Sequence, residues 1–84
     1  MVENDKFAAF ARRIIRAYGK RVSEGDIEAL QEFISLEKIL HDSITDAVGQ
    51  LREFGYSWTD IGQRLGMTRQ AAQQRWGSNK PLEK

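Results

Sequence analysis

Trp58-Thr59-Asp60-Ile61-Gly62-Gln63-Arg64-Leu65, then Gly66-Met67-Thr68, then Arg69-Gln70-Ala71-Ala72-Gln73-Gln74-Arg75-Trp76 carries two helix signals on either side of a glycine corner. Ser57 precedes it, with an acid, Asp60, three positions on, the spacing of a capping box at a helix start. Ile61 and Leu65 are four apart and share one face of that first helix, where they are expected to meet Met67, Ala72 and Trp76 across the bend. Gly62 is small where the two helices cross. Gly66 reaches a positive φ at little cost and so permits a tight corner. Thr68 then caps a second helix. Two short helices joined by a three-residue corner at a steep angle are a helix-turn-helix, and the second helix is predicted over 68–76.

The exposed chemistry of that second helix is unusual. Arg69, Gln70, Gln73 and Gln74 share an outward face, with Arg75 at its edge. Arginine bonds bidentately to guanine and glutamine to adenine in the major groove of duplex DNA. No acid occurs between Asp60 and Glu83, and each carboxylate there would repel phosphate. The candidate base contacts are therefore Arg69, Gln70, Gln73 and Gln74. The candidate phosphate contacts are Ser57, Thr59, Arg64, Thr68 and Arg75, groups that position a protein without reading sequence. Ser57 has the alternative of serving only as a cap. Trp58 is expected to pack at the core or its edge, and Trp76 in the core.

Over roughly residues 50–77, the run Ile61-Gly62…Leu65-Gly66-Met67-Thr68-Arg69…Gln74 resembles the helix-turn-helix of region four of bacterial housekeeping sigma factors. It is also similar to small helix-turn-helix proteins of actinobacteria and their phages and plasmids. The resemblance implies phosphate contact for Thr68 and base-edge contact for Arg69, Gln70 and Gln73, with a weaker transfer to Gln74. The chain departs from the sigma pattern at Ala71, Ala72 and Gln73, where bulkier or basic residues are usual. No core-polymerase-binding region precedes the motif, so a full sigma factor is not expected, nor the sigma target sequence.

Outward from the motif, apolar residues recur at helical spacing. Asn4 or Asp5 is a candidate cap for a first helix carrying Phe7, Phe10, Ala11, Ile14 and Tyr18, which Gly19 is expected to end. Arg12, Arg13, Arg16 and Lys20 line its other face. Ser23, with Asp26 three on, is the start signal for the next helix, bearing Ile27, Leu30, Phe33, Ile34, Leu36 and Leu40. Ser43 with Asp46 is a second start signal, followed by Ile44, Ala47, Val48, Leu51 and Phe54. Two readings compete: one helix over about 25–54, or two broken near His41-Asp42. No glycine or proline forces a break, which favours the single helix. His41 reads as an exposed or half-buried helix residue. The expected fold is all-α: one domain over 1–84, with four helices, or five if the central one breaks. Within it, 1–54 holds the N-terminal and central helices, 55–77 the helix-turn-helix, and 78–84 a loose tail.

Composition limits the alternatives. The 84 residues contain no cysteine and one histidine, which removes disulfides, thiolate metal sites and a structural zinc site. No cofactor or metal is expected. No paired acids in a recognisable setting and no glycine-rich phosphate loop are present, so an enzyme is not expected. No apolar run is long enough to cross a bilayer and no signal peptide is visible, giving a cytoplasmic, nucleoid-associated expectation. Charge is distributed in blocks. Six Lys/Arg against two acids leave +4 in residues 1–22, two against nine leave −7 in 23–60, and five against one leave +4 in 61–84. The basic ends face either the acidic middle or a polyanion. For Arg12, Arg13, Arg16, Lys20 and Arg21, pairing with Glu28, Glu32 and Glu37 within or between subunits is favoured over flanking phosphate.

These residues lead to a sequence-specific double-stranded DNA-binding protein, a transcriptional regulator such as a repressor or a phage or plasmid control protein. An architectural or DNA-segregation protein is the alternative on the same chemistry. A helical interaction module that contacts the transcription machinery, such as RNA polymerase, is the alternative of another class. A homodimer is expected. One such module buries little DNA surface, and Phe7, Phe10, Phe33, Ile34, Ile39 and Leu40 are many large apolar residues for so short a chain, enough to form a seam between N-terminal and central helices.

Overall fold

The computed structural model describes residues 3–77; the tail expected to be loose, 78–84, lies outside the described residues. The described residues form four α-helices and one 3-10 turn, with no strand: α1 (Asn4–Ser23), the 3-10 turn Ile27–Ala29, α2 (Leu30–Phe54), α3 (Trp58–Leu65) and α4 (Arg69–Trp76). The all-α expectation holds, and the central helix is unbroken through His41-Asp42, so Ser43 does not open a helix. The chain divides into two compact units, residues 1–38 and 39–84. The division falls inside α2.

In the first unit the helix ends differ from those the sequence suggested. Glu3 precedes α1 and makes no side-chain cap bond. Asp5 lies inside the helix, where its Oδ1 accepts from the neighbouring Lys6 N–H at 2.9 Å. The helix runs through Gly19 to Ser23. The role of Gly19 is packing: a Cβ there would lie 3.3 Å from the Phe33 ring, and Tyr18 stacks on the same ring at 4.9 Å between centroids. The positive φ falls instead at Gly25, at 116°, where a side chain would be strained. Ser23 closes α1 rather than opening the next helix; its hydroxyl donates to the Lys20 carbonyl at 2.8 Å. Asp26 is the true cap, accepting from the Ala29 N–H at 3.3 Å.

The second unit holds the core. Val48 from α2, Ile61 from α3 and Ala72 from α4 are buried, with Trp58, Met67 and Trp76 packed around them. Three helices thus meet at three small or medium side chains, which lets α3 and α4 approach closely. Leu65, expected to share the inward face with Ile61, is instead 52% exposed. It occupies the last position of α3, next to the turn at Gly66, and a four-residue step on an eight-residue helix carries it past the end of the core.

Candidate nucleic-acid interface

The geometry of the site begins at Ser57. The Asp60 N–H donates to Ser57 Oγ at 3.0 Å, and the Ser57 N–H donates to Asp60 Oδ2 at 2.9 Å. This reciprocal capping box satisfies two helix-end donors at once and starts α3 at Trp58. The Ser57 backbone donor, then its hydroxyl, hold the Asp60 carboxyl below the usual aspartate range, with a smaller contribution from Arg64. The acceptor of Ser57 is therefore taken up by the cap, the alternative role foreseen for this residue.

At the other end of α3, Gly66 adopts φ 69° and ψ 30°, the left-handed conformation. The chain reverses there, and the Met67 N–H donates to the Gly62 carbonyl at 2.9 Å. Thr68 then caps α4, its Oγ1 accepting from the Ala71 N–H at 3.0 Å. Gly62 is the crossing point. A Cβ on it would stand 2.6 Å from the Met67 carbonyl oxygen and 3.1 Å from that of Thr68. The first distance is shorter than carbon–oxygen contact allows, so the turn lies against the helix backbone itself. Position 62 admits only hydrogen if α4 is to keep its angle.

That angle determines what α4 presents. Ala72 is fully buried and Trp76, one turn on, is half-buried against the core. Arg69, Gln70, Gln73 and Gln74 are all exposed. At 3.6 residues per turn the four span about 140° of the helix, with Arg69 at the edge nearest Ala72. No acid lies in α4 or in the three-residue turn before it. Thr59 is exposed. Arg64 is exposed too, but one of its guanidinium nitrogens donates back to the Asp60 carbonyl at 3.1 Å, along its own helix. Arg75 lays its guanidinium over the Trp76 ring at 5.2 Å. Both arginines are thus oriented along the protein surface. Among the described residues no cluster of His, Asp or Glu is arranged to hold a metal ion, and no helix is long and apolar enough to cross a membrane.

No protein-family model, curated protein or solved structure matches the chain.

One supporting residue escaped the sequence reading. Arg52, near the end of α2, places its guanidinium over the Trp58 ring at 4.9 Å and donates to the Tyr56 carbonyl at 3.1 Å. It ties the connection before α3 to the helix that precedes it. The contact spans the turn at Gly55, so helical spacing gives no signal for it; an arginine six residues before a cap-adjacent tryptophan is the only hint.

Proposed function

We propose that this chain is a sequence-specific double-stranded DNA-binding protein that enters the major groove with α4 and acts as a transcriptional regulator at the nucleoid. One observation carries the reading: Arg69, Gln70 and Gln73 stand exposed together on a helix whose backbone is locked against its neighbour at Gly62. A rigid mount matters because bidentate base contacts tolerate little error in position. Arg69 and Gln70, in the first turn, approach the base edges; Gln73 and Gln74 follow one turn later. Thr59 and Thr68 supply phosphate contacts, Arg64 and Arg75 join them by exchanging the Asp60 carbonyl and the Trp76 ring for phosphate on binding, and Ser57 contributes through its cap. The absence of acids from Ile61 to Gly77 keeps this surface attractive to a polyanion. The reading gives the chain no catalytic role.

Selection of bound duplexes from a random DNA pool tests this. The expected result is a defined consensus, together with binding that weakens steeply as salt rises. Enrichment of no sequence, with strong salt-dependent binding, would transfer the protein to the architectural or segregation class. Absence of duplex binding would refute both.

A second reading is a helical module that contacts the transcription machinery. It draws on Phe54, 83% exposed at the end of α2, and on the exposed Tyr56 beside it. Neighbouring exposed apolar side chains, where they form a continuous patch, are what protein partners cover. Phe54→Ala separates the two: it leaves DNA affinity unchanged if α4 is the working surface, and abolishes co-purification with RNA polymerase if the Phe54 surface is.

A further inference from the structure

The first unit contains no buried residue among those described. Its inward face is half-buried only where Tyr18, Gly19 and Val22 of α1 meet Ala29, Phe33 and Leu36. The apolar stripe of α1 does not stop there. It continues toward the N-terminus through Ile14, Phe10 and Phe7, which are 53%, 51% and 66% exposed. A second stripe, Ile27, Leu30 and Ile34, is equally uncovered, with Ile27 at 73%. Units below about 40 residues need disulfides, metals or association to stay folded. This chain has no cysteine, and the described residues hold no metal cluster. These six large apolar side chains stand 40–73% in water, and a standard interface draws roughly 800 Å² of such surface from each partner.

Charge identifies the partner. Helix α1 carries six Lys/Arg and one acid, a net +5, whereas residues 24–38 carry five acids and one lysine, a net −4. Within the unit, Lys20 and Glu24 pair at 3.2 Å, a local surface contact one helical turn apart. Arg12, Arg16, Glu28, Glu32 and Glu37 are exposed. Contact of α1 with a second α1, or of one acidic segment with another, sets like charges together; α1 on the acidic segment of another chain is the attractive arrangement. We propose that the first unit is completed by the first unit of a second copy of this chain, with α1 of each lying on residues 27–38 of the other in a symmetric four-helix assembly. The inference stands without the DNA reading.

Sedimentation of the full chain tests it with two exposed-surface variants. In one, Arg12, Arg13 and Arg16 become Glu; in the other, Glu28, Glu32 and Glu37 become Lys. The wild type is expected to be a dimer whose thermal midpoint rises with protein concentration. Each variant alone should associate at least about tenfold more weakly, because like charges then face each other. An equimolar mixture should restore the dimer, since the acidic α1 of one variant meets the basic segment of the other. A wild type that stays monomeric with a concentration-independent midpoint overturns the proposal. So do variants that dimerise as the wild type does, or a mixture that fails to recover. A dimer that ignores duplex DNA supports this proposal and removes the DNA reading; a monomer that binds DNA does the reverse.

Discussion

Gly62→Ala is the most exacting test of the helix-turn-helix, because its cost follows from one distance. The added methyl group would lie 2.6 Å from the Met67 carbonyl oxygen, where ordinary contact begins at 3.4 Å, a shortfall of 0.8 Å. The obstacle is backbone rather than the tip of a flexible side chain, so it is relieved only by moving the turn. That movement strains the Met67-to-Gly62 hydrogen bond and lifts Ala72 from its fully buried place. Overpacking of this kind costs about 1–3 kcal/mol, and disturbing a buried backbone hydrogen bond adds about 1 kcal/mol. Alanine's better helix propensity returns about 1 kcal/mol. The expected net loss is therefore about 2 kcal/mol, which for a chain of this size lowers the melting midpoint by about 8–16 °C. Thermal unfolding followed by circular dichroism measures it. Duplex binding at a temperature where the variant is still folded should fall as well, because α4 tilts away from its mount. If the variant's midpoint matches the wild type within about a degree or two, Gly62 is not the contact that sets the angle of α4.

Arg69→Ala and Gln70→Ala should leave the melting midpoint unchanged, since both side chains are exposed. Each should cost about 1–3 kcal/mol of discrimination at one base position, read by competition between single-base operator variants. Ser57→Ala removes the hydroxyl half of the reciprocal cap, leaving the backbone N–H bond to Asp60, and should cost about 1 kcal/mol of stability in denaturant titration. The same box predicts a pH effect. The folded Asp60 carboxyl titrates below its unfolded value, so its stabilisation is present above the ordinary aspartate range and is lost as pH falls through the lower folded value. Ser57→Ala should raise the Asp60 titration midpoint toward the ordinary range, an upward movement that carboxyl NMR detects directly. Gly66→Val should cost about 1–2 kcal/mol because a branched side chain resists the left-handed conformation, whereas Gly66→Asn should cost visibly less; chemical denaturation of the two side by side checks the ranking.

Residues 57–76 show how far local signals reach. The Ser57–Asp60 box, the Gly66 corner and the Thr68 cap were readable because each is a bond or a conformation completed within three or four residues. The small residue at Gly62 was readable from its place on the helix, although the 2.6 Å approach was not. Where two local signals competed, sequence alone failed. Gly19 looked like a helix end and is a packing site for Phe33; Ser23 looked like a helix start and closes α1. A glycine carries no mark of which use it serves until the residue that packs on it, fourteen positions later, is in place.

Local pattern alone set the helical class and the chemistry on α4 and favoured an unbroken central helix over a broken one, because propensity, capping and periodicity act between near neighbours along the chain. Tertiary structure alone decided that Val48 joins Ile61 and Ala72 in the core, that Leu65 falls outside it, and that Arg52 braces Trp58. Each of these depends on how helices meet in space, α3 with α4 at the close approach of Gly62 and α2 with α3 across the turn at Gly55, which no spacing in one dimension records.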